Sequence, residues 1–258
     1  MKAYKFGLLF VIVLSSSYQQ PVFGQPVGSP ALTKSHREFT LSFCGGYFQK
    51  EIYGVENRSS RFLAKGILGI ANRLDIFVAA GASKLTLSMT GTTPVHLEDK
   101  YRLAFGGGFA WRYLSFERAR LALFLNAQVF RVTSNPSSTI VTDLVGTQVS
   151  QSLALKYDWR ELLLSSGFMQ EVGVVNLMGG ARVNLTQRLE TKIMSDTIDG
   201  NSGTEIREKG EFRSGPQLNP FLGIEFKLPA RYLLSCEISG RSQADYAFYV
   251  GLSQTGKP

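Results

Sequence analysis

Residues 101 to 113 read YRLAFGGGFAWRY. In an extended strand this sets Tyr101, Leu103, Phe105, Phe109, Trp111 and Tyr113 on one face and Arg102, Ala104, Gly106, Gly108, Ala110 and Arg112 on the other. The same period-two pattern recurs over 38–47, 60–71, 74–85, 120–132, 150–168, 173–186, 217–228, 232–241 and 245–254, so the chain is read as about ten strands. Long and short connections alternate between them, the last hairpin excepted. That asymmetry is expected of an up-and-down antiparallel sheet with its tight turns at one rim and its long excursions at the other. In the second hairpin Phe62, Ala64, Gly66, Leu68 and Ile70 lead through Asn72 and Arg73 to Leu74, Ile76, Val78, Ala80 and Ala82, while Lys65 and Asp75 lie on the reverse faces.

A soluble sheet alternates too, so the N-terminus decides which solvent lies outside. Lys2 and Lys5 precede an apolar run from Phe6 to Leu14, then Ser15 to Ser17, and Val22 and Gly24 are small enough to precede a cut. The run is too short for a membrane helix, which needs about 20 residues, and fits a cleavable signal over 1–24. A leader at 25–37 and one barrel domain at 38–254 follow. With secretion and repeated alternation together, the apolar face is expected to meet lipid. The fold is then an all-β, up-and-down antiparallel transmembrane β-barrel of about ten strands, in a range of roughly 8 to 12. Lys65, Asp75, Arg102, Arg112, Lys156, Asp158, Arg182, Glu225, Lys227 and Glu237 are expected to face the lumen, with near-balanced signs that allow pairing.

Two segments resist. Leu153, Leu155, Tyr157 and Trp159 alternate as a lipid-facing set, but Arg160, Glu161, Leu162, Leu163 and Leu164 break the phase, and a bulge is expected to restore it. Pro220 lacks a ladder donor and is expected near a strand end, at a bulge, or where pairing is weak.

The RLDIFVAAG hairpin segment, the YDWRELLLSSG strand and the final YAFYVGLSQ strand make the chain similar to small bacterial outer-membrane β-barrel proteins of the opacity and porin-like kind. The resemblance covers nearly all the mature chain as a pattern, and it implies a bacterial outer-membrane location and insertion by the barrel-assembly machinery. Such proteins usually finish on an aromatic residue; here Tyr246, Phe248, Val250 and Leu252 alternate, and Thr255, Gly256, Lys257 and Pro258 follow.

Composition adds little chemistry. The formal charge of +8 is spread along the chain without a basic run interleaved with aromatics, so lipid head groups are expected partners and nucleic acid is not. Cys44 and Cys236 fall on opposite strand faces, which disfavours a disulfide. They and His36 and His96 have no metal-ligand spacing, and no cofactor or metal is expected. Asp196, Asp199 and Asn201 near Gly200 and Gly203 depart from an EF-hand loop, so 187–214 is read as a polar outer loop able to meet a surface ligand. His96 beside Glu98 and Asp99 is the one candidate for a hydrolytic site at the rim.

The expectation is a non-enzymatic, monomeric barrel with a structural or surface-interaction role. A narrow channel with weak anion preference, carried by Lys65, Arg102, Arg112, Lys156 and Arg182, is the alternative, and a rim hydrolase the third.

Overall fold

The computed structural model describes residues 38–256 apart from 53–54, 90–94, 145–146, 199–200, 214–215 and 243–244. The expected signal, the leader and His36 lie outside the described residues. The strands are β1 (Phe39–Ile52), β2 (Val55–Ala71), β3 (Leu74–Met89), β4 (Val95–Glu98), β5 (Arg102–Phe116), β6 (Leu121–Ser134), β7 (Ser137–Leu144), β8 (Thr147–Val172), β9 (Val175–Ile198), β10 (Asn201–Arg213), β11 (Gln217–Lys227), β12 (Tyr232–Ser242) and β13 (Asp245–Gly256).

All of them pair antiparallel, and the sheet closes on itself through β1, β2, β3, β5, β6, β8, β9, β11, β12 and β13, whose last member pairs back with β1. The short strands β4, β7 and β10 continue the staves of β5, β6 and β11 upward. Each pairs with the upper part of the neighbour whose lower part holds the strand it continues. The result is the expected up-and-down barrel of about ten staves. Closure leaves no stave of the ring with an unpaired edge, the condition for crossing a medium that offers backbone groups no hydrogen bonds.

The tight turns at 71–74, 116–121, 172–175 and 227–232 share one rim with both ends of the described chain, where Phe39 pairs with Gly256. In the two-residue turn at 172–175 Gly173 takes φ 61°, a value an L side chain resists.

Side-chain chemistry along each stave divides the wall into two storeys. In the lower storey the outer face is apolar: Phe62 to Ile70 on β2, Ile76 to Ala82 on β3, Leu103 to Trp111 on β5 and Leu162 to Val172 on β8 point outward, and many of their large side chains are exposed. A band of some nine to eleven residues per strand is what a bilayer core requires. Above it the outer face turns polar. Ser60 and Arg58 follow Phe62, Lys84 and Thr86 follow Ala82, Arg131 and Thr133 follow Val129, Arg160 and Asp158 follow Leu162, and Gln187 follows Leu185.

The change falls at matched register: Phe62 is opposite Ala82, Val129 opposite Leu162, and Leu162 opposite Leu185. This corrects the bulge expected at Arg160 to Leu164. β8 is one continuous strand of 26 residues whose pairing with β6 and β9 shows no register shift across 157–170. The apolar phase reverses because the medium outside the wall changes from lipid to water. Leu153, Leu155, Tyr157 and Trp159 therefore face inward, buried with Leu85, Leu87, Leu97 and Val132 in the apolar core of the upper storey.

The segment 187–214, expected as a flexible loop, is instead the upper part of β9 and the strand β10 that pairs with it. Asp199 and Gly200 lie outside the described residues. Pro220 sits where pairing is one-sided: it is opposite Ala181 on β9, while the ladder between β11 and β12 begins at Phe221.

Two substitutions on β8 test the division. Phe168, outward and 41% exposed in the apolar band, should lose about 2–4 kcal/mol of stability as Phe168→Arg in a bilayer, where a basic group faces acyl chains. Lys156→Leu, outward but above the band, should change it by no more than roughly 0.5 kcal/mol. Urea unfolding in lipid vesicles measures both; equal costs would place the two positions in one solvent.

Candidate functional site in the bore and at the outer rim

Alternation in the lower storey forces polar groups inward, and several of them meet there. Arg61 of β2 reaches Glu161 of β8 across the bore in a two-pronged contact, each N–H···O separation 3.3 Å, with both side chains essentially inaccessible. The Arg61 guanidinium also lies 4.6 Å from the Phe130 ring centroid, so an aromatic face and a carboxylate both offset its loss of hydration. Phe130 can lie flat there only because Gly106 is beneath it: a Cβ at that position would be 2.2 Å from the ring and 2.3 Å from the Val129 carbonyl oxygen.

Below, Arg182 of β9 pairs with Glu237 of β12 at 2.8 Å and covers the Phe221 ring at 4.9 Å. Lys65 lies 4.7 Å from the Phe77 ring centroid, and Asn176 donates to Glu225 at 3.1 Å. Phe124 and Phe221 approach each other with centroids 6.2 Å apart.

The residues expected to face the lumen thus separate into three groups. Lys65, Asp75, Arg182, Glu225 and Glu237 are buried in the bore. Arg102, Arg112 and Lys227 lie on the inward side of their strands but at the rims. Arg102 is half-exposed at the upper end and donates to Asp99 at 3.3 Å; Arg112 donates to the Asn72 carbonyl at 3.1 Å at the lower end; Lys227 pairs with Glu171 beside the lower turns. Lys156 and Asp158 are a correction. They lie on the outer face above the apolar band, where Asp158 accepts two hydrogen bonds from Arg131 at 2.9 and 2.8 Å. Arg61 and Glu161 were not among the expected lumen residues. Glu161 sits at the phase reversal and could have been placed by running the alternation through it without a bulge.

The three residues proposed for rim hydrolysis do not converge. His96 is exposed on β4, its Nδ1 2.9 Å from Ser88 Oγ. Glu98 is held by Lys84, whose hydrogen bond keeps this carboxyl below the usual range. Asp99 turns inward and accepts from Ser134 Oγ at 2.9 Å, Asn135 N at 2.5 Å and Lys100 N at 2.7 Å. Asp99 is a knot that ties the β4–β5 break to the β6–β7 break. Cys44 faces the bore and pairs in register with Gly251, whereas Cys236 is opposite Ile224, with Glu237 and Ser235 occupying the inward positions on either side.

On the outer face a groove of about 270 Å³ lined by Pro220, Leu222, Ile238, Gly240 and Tyr246 lies beside the one-sided stretch of β11. It is continuous with the lipid-facing band, and its lining carries no acidic or basic side chain.

No family model and no curated protein matches the chain. Among solved structures it is similar to the translocator domain of the autotransporter NalP from Neisseria meningitidis, at 11% identity, TM-score 0.48, covering 86% of this chain and 89% of that one. It is also similar to the outer membrane protease OmpT from Escherichia coli, at 8% identity, TM-score 0.46, covering 88% and 99%. A third is the COG4313 outer membrane channel from Pseudomonas putida F1, at 10% identity, TM-score 0.32, covering 91% and 97%.

Two predictions follow from this geometry. Arg61→Ala removes both prongs of the buried contact to Glu161 and should lower stability by about 3–5 kcal/mol, read from the denaturant midpoint in micelles. In the upper storey, burial raises the Glu190 carboxyl, against the lowering pull of Arg188 and Lys192. A carboxyl raised in the folded state favours folding below its unfolded value, about 4.3, and that contribution is lost as pH climbs through the raised value. Glu190→Gln should therefore flatten the decline in stability above about pH 4, measured as urea midpoints over a pH series.

Proposed function

We propose that the chain is an integral barrel of the bacterial outer membrane whose bore is closed, and that it acts structurally and through surface contact. The observation that carries this reading is the double obstruction along the axis. The Arg61–Glu161 strap and the Arg182–Glu237 pair cross the lower storey, and the apolar core around Leu155 and Trp159 fills the upper one. The lower obstruction is ionic and the upper one dry, so neither presents a water-lined path to a solute.

Of the five residues of the expected basic constriction, only Lys65 and Arg182 are buried in the bore. Arg102 and Arg112 are at opposite rims, and Lys156 is outside the wall. A selective ring needs its charges at one level. Hydrolysis has no support in the described geometry around His96, which contacts Ser88 in open solvent.

Surface contact is favoured by β10. Among the described residues it pairs with β9 alone and so raises a strand edge above the short β12–β13 hairpin. An edge of this kind accepts an extended segment of another chain by strand addition. Glu205, Arg207, Glu211 and Arg213 along it blunt indiscriminate pairing, as charged edges do. The short-turn rim, which holds both ends of the described chain, is the periplasmic one in this reading, and the tall wall stands outside the cell.

Purified protein inserted in planar lipid bilayers should give no discrete conductance steps while migrating as a folded, heat-modifiable species. Regular steps from folded protein would replace this reading with the channel.

A further inference from the structure

Immediately above the apolar band, four outward side chains stand in one cross-strand row: Arg131 on β6 is opposite Arg160 on β8, Arg160 opposite Gln187 on β9, and Gln187 opposite Arg213 on β10. One step below is the last apolar row, Val129, Leu162 and Leu185. Like charges directly opposite one another on a sheet repel, so Arg131 facing Arg160 is unfavourable unless an anion lies between them.

The neighbouring acids do not supply it for both. Asp158 takes the Nε and Nη2 edge of Arg131, and Glu211 takes Arg213 and Gln187. Arg160 is exposed and has no ion-pair or hydrogen-bond partner among the described residues, and Lys156 on the same face of β8 is in the same position. Two acids thus meet four basic groups, and the surplus is centred on Arg160.

We infer that this row binds a phosphate group of the lipids in the leaflet around the upper end of the barrel, with Arg160 as the principal contact and the free Nη1 edge of Arg131 as the second, while Lys156, two outward positions higher on β8, adds its charge from above. The location selects the source. Strand tilt makes the row climb across the wall, but it stays within the depth of a head-group layer, one residue pair above acyl-chain contacts. A phosphate on a lipid whose chains lie against Val129, Leu162 and Leu185 is presented there at high local concentration. Guanidinium groups bind phosphate with paired, charge-assisted hydrogen bonds, so Arg160 also gives orientation. Asp158 holds the Arg131 fork in place beside the site. The inference rests on the membrane placement proposed above, with the polar storey outside.

The test uses full-length folded protein in phosphatidylcholine nanodiscs. Bisphosphorylated lipid A, the same lipid with its phosphates removed, and inorganic phosphate are the three probes, and retained lipid is counted by native mass spectrometry. Wild type should retain the bisphosphorylated lipid in preference to the dephosphorylated one, and inorganic phosphate should not compete at millimolar concentration. Arg160→Gln should weaken retention roughly tenfold, the scale of losing a charge-assisted contact. Lys84→Gln, at an outward basic residue on β3, three staves from β8, should leave it unchanged.

Equal retention by wild type and Arg160→Gln overturns the site. Equal loss in Lys84→Gln also overturns it, by reducing the effect to net charge. Competition by inorganic phosphate overturns the lipid as the source. Heat-modifiable migration of every variant establishes insertion separately: failure of wild type to insert removes the membrane placement, whereas insertion with indifferent Arg160→Gln removes this inference alone.

Discussion

The constraint on which this structure depends is that a β-strand cannot choose which residues share a face. Side chains alternate with a period fixed by the backbone, and closure of the ladder from β13 back to β1 holds every stave in register. Once the ring is closed there are only two surroundings for a side chain, the bore and whatever lies outside. The chain therefore adjusts chemistry, and not geometry, when the outer medium changes. On β8 this is visible in a single element: Leu162 and Phe168 point outward into the apolar band, and Asp158 and Lys156 point outward above it, with no residue inserted between.

The same rule explains the two kinds of interior. Within the band, apolar residues are needed outside, so polar ones accumulate in the bore, where their hydration is lost. Arg61 and Glu161, Arg182 and Glu237, and Asn176 and Glu225 meet as partners, and aromatic rings at Phe130, Phe77 and Phe221 cover the cations. Pairing is what makes such burial tolerable, because an isolated charge in that position is far more expensive. Above the band the outside is wet, polar residues go there, and the interior becomes an ordinary hydrophobic core. The two storeys thus pack their interiors by opposite chemistry on the same set of strands.

Strand positions and fold class could be read from the sequence because alternation is a local property and every stave has it. Sidedness could be read only where the outer solvent is lipid. Lys65, Asp75, Arg182, Glu225 and Glu237 lie below the boundary, and for them the rule of apolar outside and polar inside applies. Lys156, Asp158 and Leu155 lie above it, and the same rule inverts their faces. The phase break at Arg160 and Glu161 was the signal of that boundary, and a bulge was the wrong physical cause to assign to it. Arg61 was missed for a related reason: in ENRSSRF the strand is already polar on both faces, so alternation there has no contrast. Pairing between Arg61 and Glu161, a hundred residues apart in the chain, is set by the diameter of the ring and has no local trace.

Strand length raises the last question. β8 and β9 have 26 and 24 residues, while β12 and β13 have 11 and 12. A tilted strand crosses a bilayer with about 9–11 residues, so the short staves are barely long enough and the long ones project well beyond. A projecting wall has no lipid against its outer face, and a two-stranded ribbon is marginal on its own. The upper storey solves this by folding β3 and β4 against β7, β8 and β9, so that Leu85, Leu87 and Leu97 pack with Leu153 and Leu155, and Asp99 fastens the two sides through Ser134 and Asn135. Among the described residues the β12–β13 hairpin does not reach that height, and β10 has a paired neighbour on one side. The asymmetry therefore separates two structural tasks in one ring: the low side completes closure of the ladder, and the tall side builds a core of its own and raises a charged strand, β10, above its neighbours.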